Sequence, residues 1–456
     1  MGRGALSCRN VLEKHGGTLK PESVSTKQEH IAMLARSNPA MAFTSLNQYI
    51  DYEWLKYAYD CTRKDGAVGV DGQTGEEYAA NLEQNLLGLI DRLKSGCYRA
   101  PPVRRHYILK SDGGQRGLGI PSFEDKVAQR AIVMLLEPIY EQDFQDCSFG
   151  FRRERSAHQA LRAVWKGIMK RGGRWVLDVD VRKYFDSIDR AKLRELLARR
   201  VTDGVVRKLI DKWLKAGVLE DGQRFYPDTG TPQGGVISPC LANVFLHYVL
   251  DEWFAAEVQP RLRGPSTLVR FADDFVVMFA YKDDAERVLK VLGKRLGKYG
   301  LELHPEKTQM IDFRFRPKPG HDGSDGMLAT TFNFLGFTHV WVTSMKGKAV
   351  VRQLTATDRV ARTLKAINQK CRAMRTWPLR EQHQRLCRML KGHFAYFGIS
   401  GNSERLATMK LQMERLWRKW LSRRSNRSPL PWTAFKRILK VFPLPQPRIV
   451  HCYINL

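Results

Sequence analysis

Several things are scarce in this 456-residue chain. Its eight cysteines (Cys8, Cys61, Cys97, Cys147, Cys240, Cys371, Cys387 and Cys452) are scattered without any C-x-x-C pair. That argues against a zinc ribbon or a disulfide framework and fits a reducing compartment. No apolar run approaches the roughly 18 residues of a membrane span; the stretch from Ala131 to Leu136 is far too short. The N-terminus has no charged, apolar and cleavable signal sequence, and Leu6 stands where a myristoylation signal needs a hydroxyl. Phosphate-loop spacing, internal repeats and extended low-complexity tracts are missing as well. A soluble intracellular protein is expected.

Negative charge is also in short supply. Lys and Arg number 76 against 47 Asp and Glu, a net charge of +29. Such an excess says little about fold but points to a polyanionic partner. Apolar residues supply 43% of the chain, enough for a large core and two or three domains.

The first 45 residues are polar and read as poorly ordered. Residues 46–100 read as helical, broken by a glycine-rich connector at Lys64 to Gly72. A hairpin follows, its arms His106–Lys110 and Arg116–Ile120 joined by a turn whose Asp112-Gly113 can take positive φ. Lys110 and Arg116 project near that turn. A strand from Trp175 to Val181 runs into Lys183-Tyr184-Phe185-Asp186. A second strand pair flanks Phe271-Ala272-Asp273-Asp274. Between them a helix opens at Ser238-Pro239, with Ser238 as the N-cap. Asp284 to Tyr299 carries Ala285, Val288, Leu289, Leu292 and Leu296 on one face, an amphipathic helix for a sheet. The whole implies an α+β domain with a half-covered sheet over residues 101–345.

The C-terminal stretch, 355–456, reads as a separate basic helical domain. From Arg359 to Leu456 there are 22 Lys and Arg against 3 Asp and Glu. The cations, among them Arg415, Arg418, Lys419, Arg423 and Arg424, are interleaved with Trp377, Phe394, Tyr396, Phe397, Trp417, Trp420 and Trp432. Cations neutralise phosphates while aromatic faces stack on bases, a pairing suited to RNA.

The chemistry should lie with the carboxylates. Two adjacent aspartates in a strand turn repel each other and lose water, a cost that divalent cations remove. Asp273 and Asp274 need one more carboxylate from a neighbouring strand to hold two Mg²⁺ ions, which in such sites stand roughly 3.5–4 Å apart and stabilise the attacking and leaving oxygens of phosphoryl transfer. Asp180 is the natural third ligand. Asp178 competes, since residues two apart share a strand face. Phe185, five residues past Asp180, could place its ring under a bound sugar and favours Asp180. Asp283-Asp284 reads as a helix N-cap with dipole complement and no part of the site.

The order of these segments resembles that of reverse transcriptases encoded by bacterial group II introns, from about Leu46 onward. The blocks carrying the resemblance are Gly69-Val70-Asp71-Gly72, Leu118-Gly119-Ile120-Pro121 with Asp125 and Lys126, and Ser148-Phe149-Gly150-Phe151-Arg152 with Ser156-Ala157-His158. Then come Asp180 to Asp186, Gly230-Thr231-Pro232-Gln233-Gly234-Gly235 with Ser238-Pro239, Phe271-Ala272-Asp273-Asp274, His304-Pro305-Glu306-Lys307-Thr308, and Phe334-Leu335-Gly336-Phe337. The resemblance implies a right-hand polymerase fold of fingers and palm followed by an α-helical thumb or maturase domain.

It implies further that Asp180, Asp273 and Asp274 are catalytic and hold two Mg²⁺ ions with the Val181 carbonyl, Mn²⁺ being a workable substitute. Phe185 would exclude a 2′-hydroxyl, Gln233 would lie along the incoming nucleotide, Lys110 and Arg116 would grip its triphosphate, and Lys307 would sit near the primer or leaving phosphate. The implied partners are a group II intron RNA or other RNA template with its primer, deoxynucleotides and a DNA target. The implied setting is the bacterial cytoplasm, in association with the nucleoid. The chain shows none of the zinc-pair cysteines of the family's HNH nuclease, so no second-strand cleavage is expected. The same polymerase in a defence or CRISPR-linked system, or a splicing factor with a vestigial site, are the alternatives. Oligomeric state is open.

Overall fold

The N-terminal segment expected to be poorly ordered contains a helix, Glu22–Ser37 (α1), which buries Val24, Gln28, Ile31 and Ala35. Two strongly apolar residues in that stripe are too few to stand out among Ser, Lys and Gln; the helix is held by tertiary packing, its Gln28 amide donating to the Met134 carbonyl at 2.7 Å. A computed structural model describes residues 22–109, 114–220, 223–226, 230, 234–315, 330–344, 346–424 and 429–452.

Helices Tyr52–Asp60 (α2), Gly75–Ala79 (α3) and Leu82–Lys94 (α4) follow. The Asp51 carboxylate caps α2, and a Thr74–Glu77 capping box opens α3. The loop between α2 and α3 is a backbone-contact element: the Val68 carbonyl accepts from Arg104 and the Ala67 carbonyl from Lys126. Strands Val103–Leu109 (β1) and Gln115–Ile120 (β2) form the expected hairpin. Phe123–Asp143 (α5) is buried around most of its circumference. The apolar run at Ala131 is thus a core helix, and no helix among the described residues is long and apolar enough to cross a membrane. Ala157–Met169 (α6) opens on a Ser156–Gln159 capping box.

Strand Trp175–Val179 (β3) leads into helices Tyr184–Ser187 (α7), Arg190–Ala198 (α8) and Gly204–Lys215 (α9). Val218–Glu220 (β4) then pairs in parallel with β1 and antiparallel with Gln223–Phe225 (β5), giving an outer sheet of order β2-β1-β4-β5. Ser238–Leu246 (α10) begins one residue earlier than expected. Ile237 is its N-cap, and Ser238 is already helical with no capping bond of the N-cap side chain, while Pro239 keeps its first-turn place.

Ser266–Phe271 (β6), Asp274–Phe279 (β7) and Gln309–Asp312 (β8) complete an antiparallel central sheet of order β6-β7-β3-β8, with Lys282–Gly297 (α11) between β7 and β8. The cap of α11 is Tyr281; Asp283 and Asp284 lie in its first turn, and the Asp284 carboxylate accepts from the Arg263 and Gly264 amides. Phe332–Phe334 (β9), Phe337–Thr343 (β10) and Ala349–Thr355 (β11) make a third sheet. The chain closes with Thr357–Ala373 (α12), Leu379–Phe397 (α13), Ser403–Ser422 (α14) and Trp432–Val441 (α15). The result is a mixed α+β structure of small sheets followed by helices.

The central sheet is covered on both faces, where a half-covered one was expected. Leu177, Val179, Phe275, Val277 and Phe279 face the main core with α10 and α11. Val176, Val269, Val276 and Met278 face a second core shared with α6, the third sheet and the C-terminal helices. That second core also absorbs aromatics that the sequence suggested for stacking: Trp417, Phe394 and Phe397 are buried, whereas Trp377 and Trp432 are 46% and 40% exposed.

One full charge lies inside the main core. Arg270, on β6, is completely buried and forms two hydrogen bonds with the equally buried Asp251, at 2.8 and 2.5 Å. Its Nη1 donates to the Asn243 side-chain oxygen at 2.9 Å and the Ala272 carbonyl at 3.0 Å, and Nη2, besides Asp251, donates to the Ser148 hydroxyl at 2.7 Å. The Arg270 amide and carbonyl complete the link, bonding to Cys147 and Phe149 at 2.7 and 2.8 Å. Removing one partner of a buried ion pair strands the other charge and costs about 3–5 kcal/mol. Asp251→Ala should therefore lower the urea unfolding midpoint by that free energy, whereas Asp65→Ala, which breaks the exposed Arg63–Asp65 pair, should shift it by under about 0.5 kcal/mol. Equal effects of the two changes would contradict this role for the buried pair.

Candidate active site

The tightest local constraint in the central sheet is the two-residue turn between β6 and β7. Phe271 pairs with Asp274, leaving Ala272 and Asp273 at the tip. Ala272 takes φ of +59°, a left-handed conformation that tight hairpin turns require and that a side chain makes costly. Two neighbours hold it there. The Arg270 guanidinium binds the Ala272 carbonyl, and Gly150 packs so closely that a Cβ on it would lie 2.3 Å from the Ala272 nitrogen. Gly150 is itself tied down by the Asn243 amide, which donates to its carbonyl at 2.7 Å. Only glycine permits this contact.

The third carboxylate arrives by strand register. β3 and β7 pair from Trp175↔Phe279 to Val179↔Phe275, the residues just before Asp180 and just after Asp274, and the Asp180 charge is close enough to raise the pKa of Asp274. Asp178, paired with Val276, shares that face. Beyond Asp180 the chain is pinned by the His304 amide, which donates to the Asp180 carbonyl at 2.8 Å, and by the Arg182 amide donating to Glu302 at 2.9 Å. These two bonds flank the Val181↔Leu303 bridge. Among the described backbone bonds none ends on the Val181 carbonyl, which keeps its acceptor capacity.

The carboxylates feel one another. Asp274 is open to solvent on one side, yet desolvation by the surrounding protein, then the charges of Asp273 and Asp180, push its pKa up to about 6. Asp273 is raised chiefly by burial, with Arg116 opposing the shift. Asp178 is pushed to about 7, by burial first and then by Asp274 and Asp180. The site thus gathers negative charge that the protein only partly compensates. Among the described residues Asp273 and Asp274 make no ion pair, and Lys307 reaches Asp180 at 3.4 Å. Hard oxygen donors carrying unneutralised charge fit a divalent cation such as Mg²⁺. No three His, Cys, Asp or Glu side chains among the described residues converge as a metal cage.

The other expected residues divide. Arg116, on β2, is exposed and close enough to lower the pKa of Asp273 and Asp274. Phe185 is half-buried, edge-on to Tyr184 at 5.3 Å. Gly230 packs against the backbone here: an added Cβ would be 2.8 Å from the Asp186 Cα and 2.9 Å from the Phe185 carbonyl. Lys110 and Gln233 lie outside the described residues. On α14 and just beyond, Arg415, Lys419 and Arg423 are exposed. Lys419 and Arg423 also flank the Trp420 ring. Arg418 and Arg424 are structural as well: Arg418 donates to the Leu430 carbonyl and lies over Trp432, and Arg424 donates to the Arg375 and Trp377 carbonyls.

Sequence reasoning missed Arg270, Asp251 and Asn243, which carry no motif spacing. The one available signal was an arginine in an otherwise apolar strand. It also missed Arg359, at the start of α12, whose charge lowers the pKa of Asp274.

Comparison with known proteins follows the same lines. Residues 108–339 match the family model of reverse transcriptase (RNA-dependent DNA polymerase). The chain is 34% identical over 327 residues to Protein YkfC of Escherichia coli K12, covering 63% of this chain and 84% of that protein. It is 38% identical over 224 residues to the group II intron-encoded protein LtrA of Lactococcus lactis subsp. cremoris, which is 48% of this chain and 37% of LtrA. A 91 kDa protein in the cob intron of Schizosaccharomyces pombe is 42% identical over 252 residues, 54% of this chain and 31% of that protein. The chain spans about a third of the length of these last two relatives. With a family match over half its length, the chain belongs to the reverse transcriptases, RNA-dependent DNA polymerases, and is related to YkfC and to the group II intron-encoded protein LtrA.

Proposed function

We propose that this reverse transcriptase makes DNA on an RNA template by nucleotidyl transfer at Asp180, Asp273 and Asp274, and that it also assists splicing and mobility of a group II intron RNA. In this reading the outer sheet is the fingers, the central sheet the palm, and α12–α15 the thumb. The observation that supports it is that the end of β3, one residue before Asp180, pairs with β7 beside the Ala272-Asp273 turn, close enough for Asp180 to raise the Asp274 pKa.

Reverse transcriptases generally use divalent metal ions, and Asp180, Asp273, Asp274 and the Val181 carbonyl would hold them here. Bound Mg²⁺ supplies Lewis-acid stabilisation of the attacking and leaving oxygens. The protein supplies position and charge. Arg116 neutralises the triphosphate entering past Asp273, and Lys110 does the same from the other arm. The Phe185 ring, set edge-on to Tyr184, closes the space that a 2′-hydroxyl would need. Gln233 lies along the nascent pair, and Lys307 passes from Asp180 to the primer or the leaving phosphate.

Maturase activity is supported by the relation to LtrA, whose name places it in a group II intron, and by the basic C-terminal helices. The RNA partner is then the intron, and a DNA target follows from mobility.

Three tests apply. Asp273→Asn combined with Asp274→Asn should abolish primer extension on an RNA template with Mg²⁺ and deoxynucleotides, while RNA binding stays near that of the parent; near-normal cDNA synthesis would remove the site. Metal binding needs the charged carboxylate. Because the Asp274 pKa is raised to about 6, lowering the pH through that value protonates it, whereas raising the pH well above it adds nothing further. The Mg²⁺ concentration for half-maximal extension should accordingly climb by up to about tenfold per pH unit below 6. A flat requirement between neutral and mildly acid pH would contradict the electrostatics. Finally, Arg415→Ala with Lys419→Ala should weaken intron RNA binding and reduce its log–log salt slope by about 1–2 without altering extension of a short template. An unchanged slope would mean these cations face only solvent.

A further inference from the structure

We propose that an open cavity at the far edge of the outer sheet binds an unpaired stretch of RNA held outside the catalytic cleft, an inference that rests on the RNA-directed reading above. The cavity, about 660 Å³, lies between the segment joining α4 to β1, the last turn of α9, and β5. Arg99, Lys212, Lys215, Arg224 and Tyr226 line it together with a single acidic residue, Asp211. Asp211 is already neutralised, accepting from Arg194 at 2.5 Å. The cations therefore face the opening with no internal counter-charge.

Two features make this more than a solvated basic patch. The Lys212 ammonium is anchored, donating to the Gly96 and Tyr98 carbonyls at 2.6 and 2.7 Å. Those bonds fix its position and leave one N–H for a ligand. Tyr226 is 63% exposed, and its ring rests on Gly217, where an added Cβ would lie 2.9 Å from two ring carbons. Gly217 has φ of +76°, so any other residue there is strained as well as obstructed. The ring is a supported platform with a free face. A planar platform among cations spaced around an opening is the requirement for stacking one base while neutralising its flanking phosphates. An acidic peptide would satisfy the cations but offers the ring no base.

Sheet order places this ligand apart from the polymerase substrate. Arg116, beside Asp273, is on β2 at one edge, and Arg224 is on β5 at the other, with β1 and β4 between. Three strand spacings separate those edges by about 14 Å. An RNA segment in the cavity is therefore additional to the primer–template in the cleft.

The experiment saturates the protein with a short-overhang primer–template and adds a fluorescently labelled, unstructured RNA strand, reading anisotropy across a salt series. The parent should bind the strand with its cleft filled. Tyr226→Ala should weaken that binding about tenfold, with Tyr226→Trp restoring it. Arg99→Ala, Lys215→Ala and Arg224→Ala together should lower the log–log salt slope by about 2. Extension of the short template, measured in the same samples, should match the parent in every variant and tests the polymerase reading separately. The assignment is overturned if the labelled strand cannot bind once the cleft is filled. It is equally overturned if the variants bind like the parent, if Tyr226→Ala has no effect while the charge variants do (a generic polyanion surface), or if extension falls along with binding.

Discussion

The buried pair between Arg270 and Asp251 sets the geometry on which the active site depends. A strand that ends in a two-residue turn, with a left-handed alanine and two adjacent aspartates, is poorly specified by its own sequence. Local φ preference, like-charge repulsion and desolvation all work against it. The Arg270 guanidinium reverses this by binding the turn's own carbonyl while joined to Asp251, Asn243 and Ser148. A buried, planar, five-donor cation can hold several separate pieces of chain at fixed angles, which lysine cannot. It lies on the opposite face of the sheet from Asp180 and Asp274 and braces the acidic face from behind.

That separation of charge is the larger pattern of the molecule. A net charge of +29 suits a polyanion, yet the chemistry sits where carboxylates collect. The two are compatible because the carboxylates are gathered at one end of the central sheet, while cations such as Arg415, Lys419 and Arg423 are exposed elsewhere on the surface. The raised pKa of Asp274 and Asp178 reflects burial first and then the mutual repulsion of the aspartates at that sheet end. The C-terminal helices divide their residues on the same principle, with Trp417, Phe394 and Phe397 in the core and the cations outside. Even there, Arg418 and Arg424 serve the fold through carbonyl bonds, so cation count overstates the surface left for a partner.

Much of this was legible in the linear order of residues. The hairpin carrying Arg116, the strands that lead to Asp180 and flank the Ala272-Asp273 turn, the amphipathic α11 and the basic C-terminal helices follow from periodicity, turn chemistry and charge, which act between near neighbours. Asp180 was preferred to Asp178 on the position of Phe185, and the structure brings both close to Asp274, since the pKa of Asp178 is raised by Asp274 and that of Asp274 by Asp180. The α1 helix and the second cover of the central sheet were not legible, because they rest on tertiary partners from other segments, such as the Met134 carbonyl for Gln28 of α1 and the third sheet and C-terminal helices for the central sheet.

The sequence by itself determined the chemical inventory: which side chains can bind metal, neutralise phosphate or stack, and in what order along the chain they come. Only the tertiary structure decided which of them meet. Gly150 against Ala272, Gly230 against Phe185 and Asp186, and Arg270 behind the turn are contacts between distant segments, set by close approach and burial. Glycine and buried arginine leave no periodic trace. Their meaning is fixed by what packs against them, and packing exists only once the chain has folded.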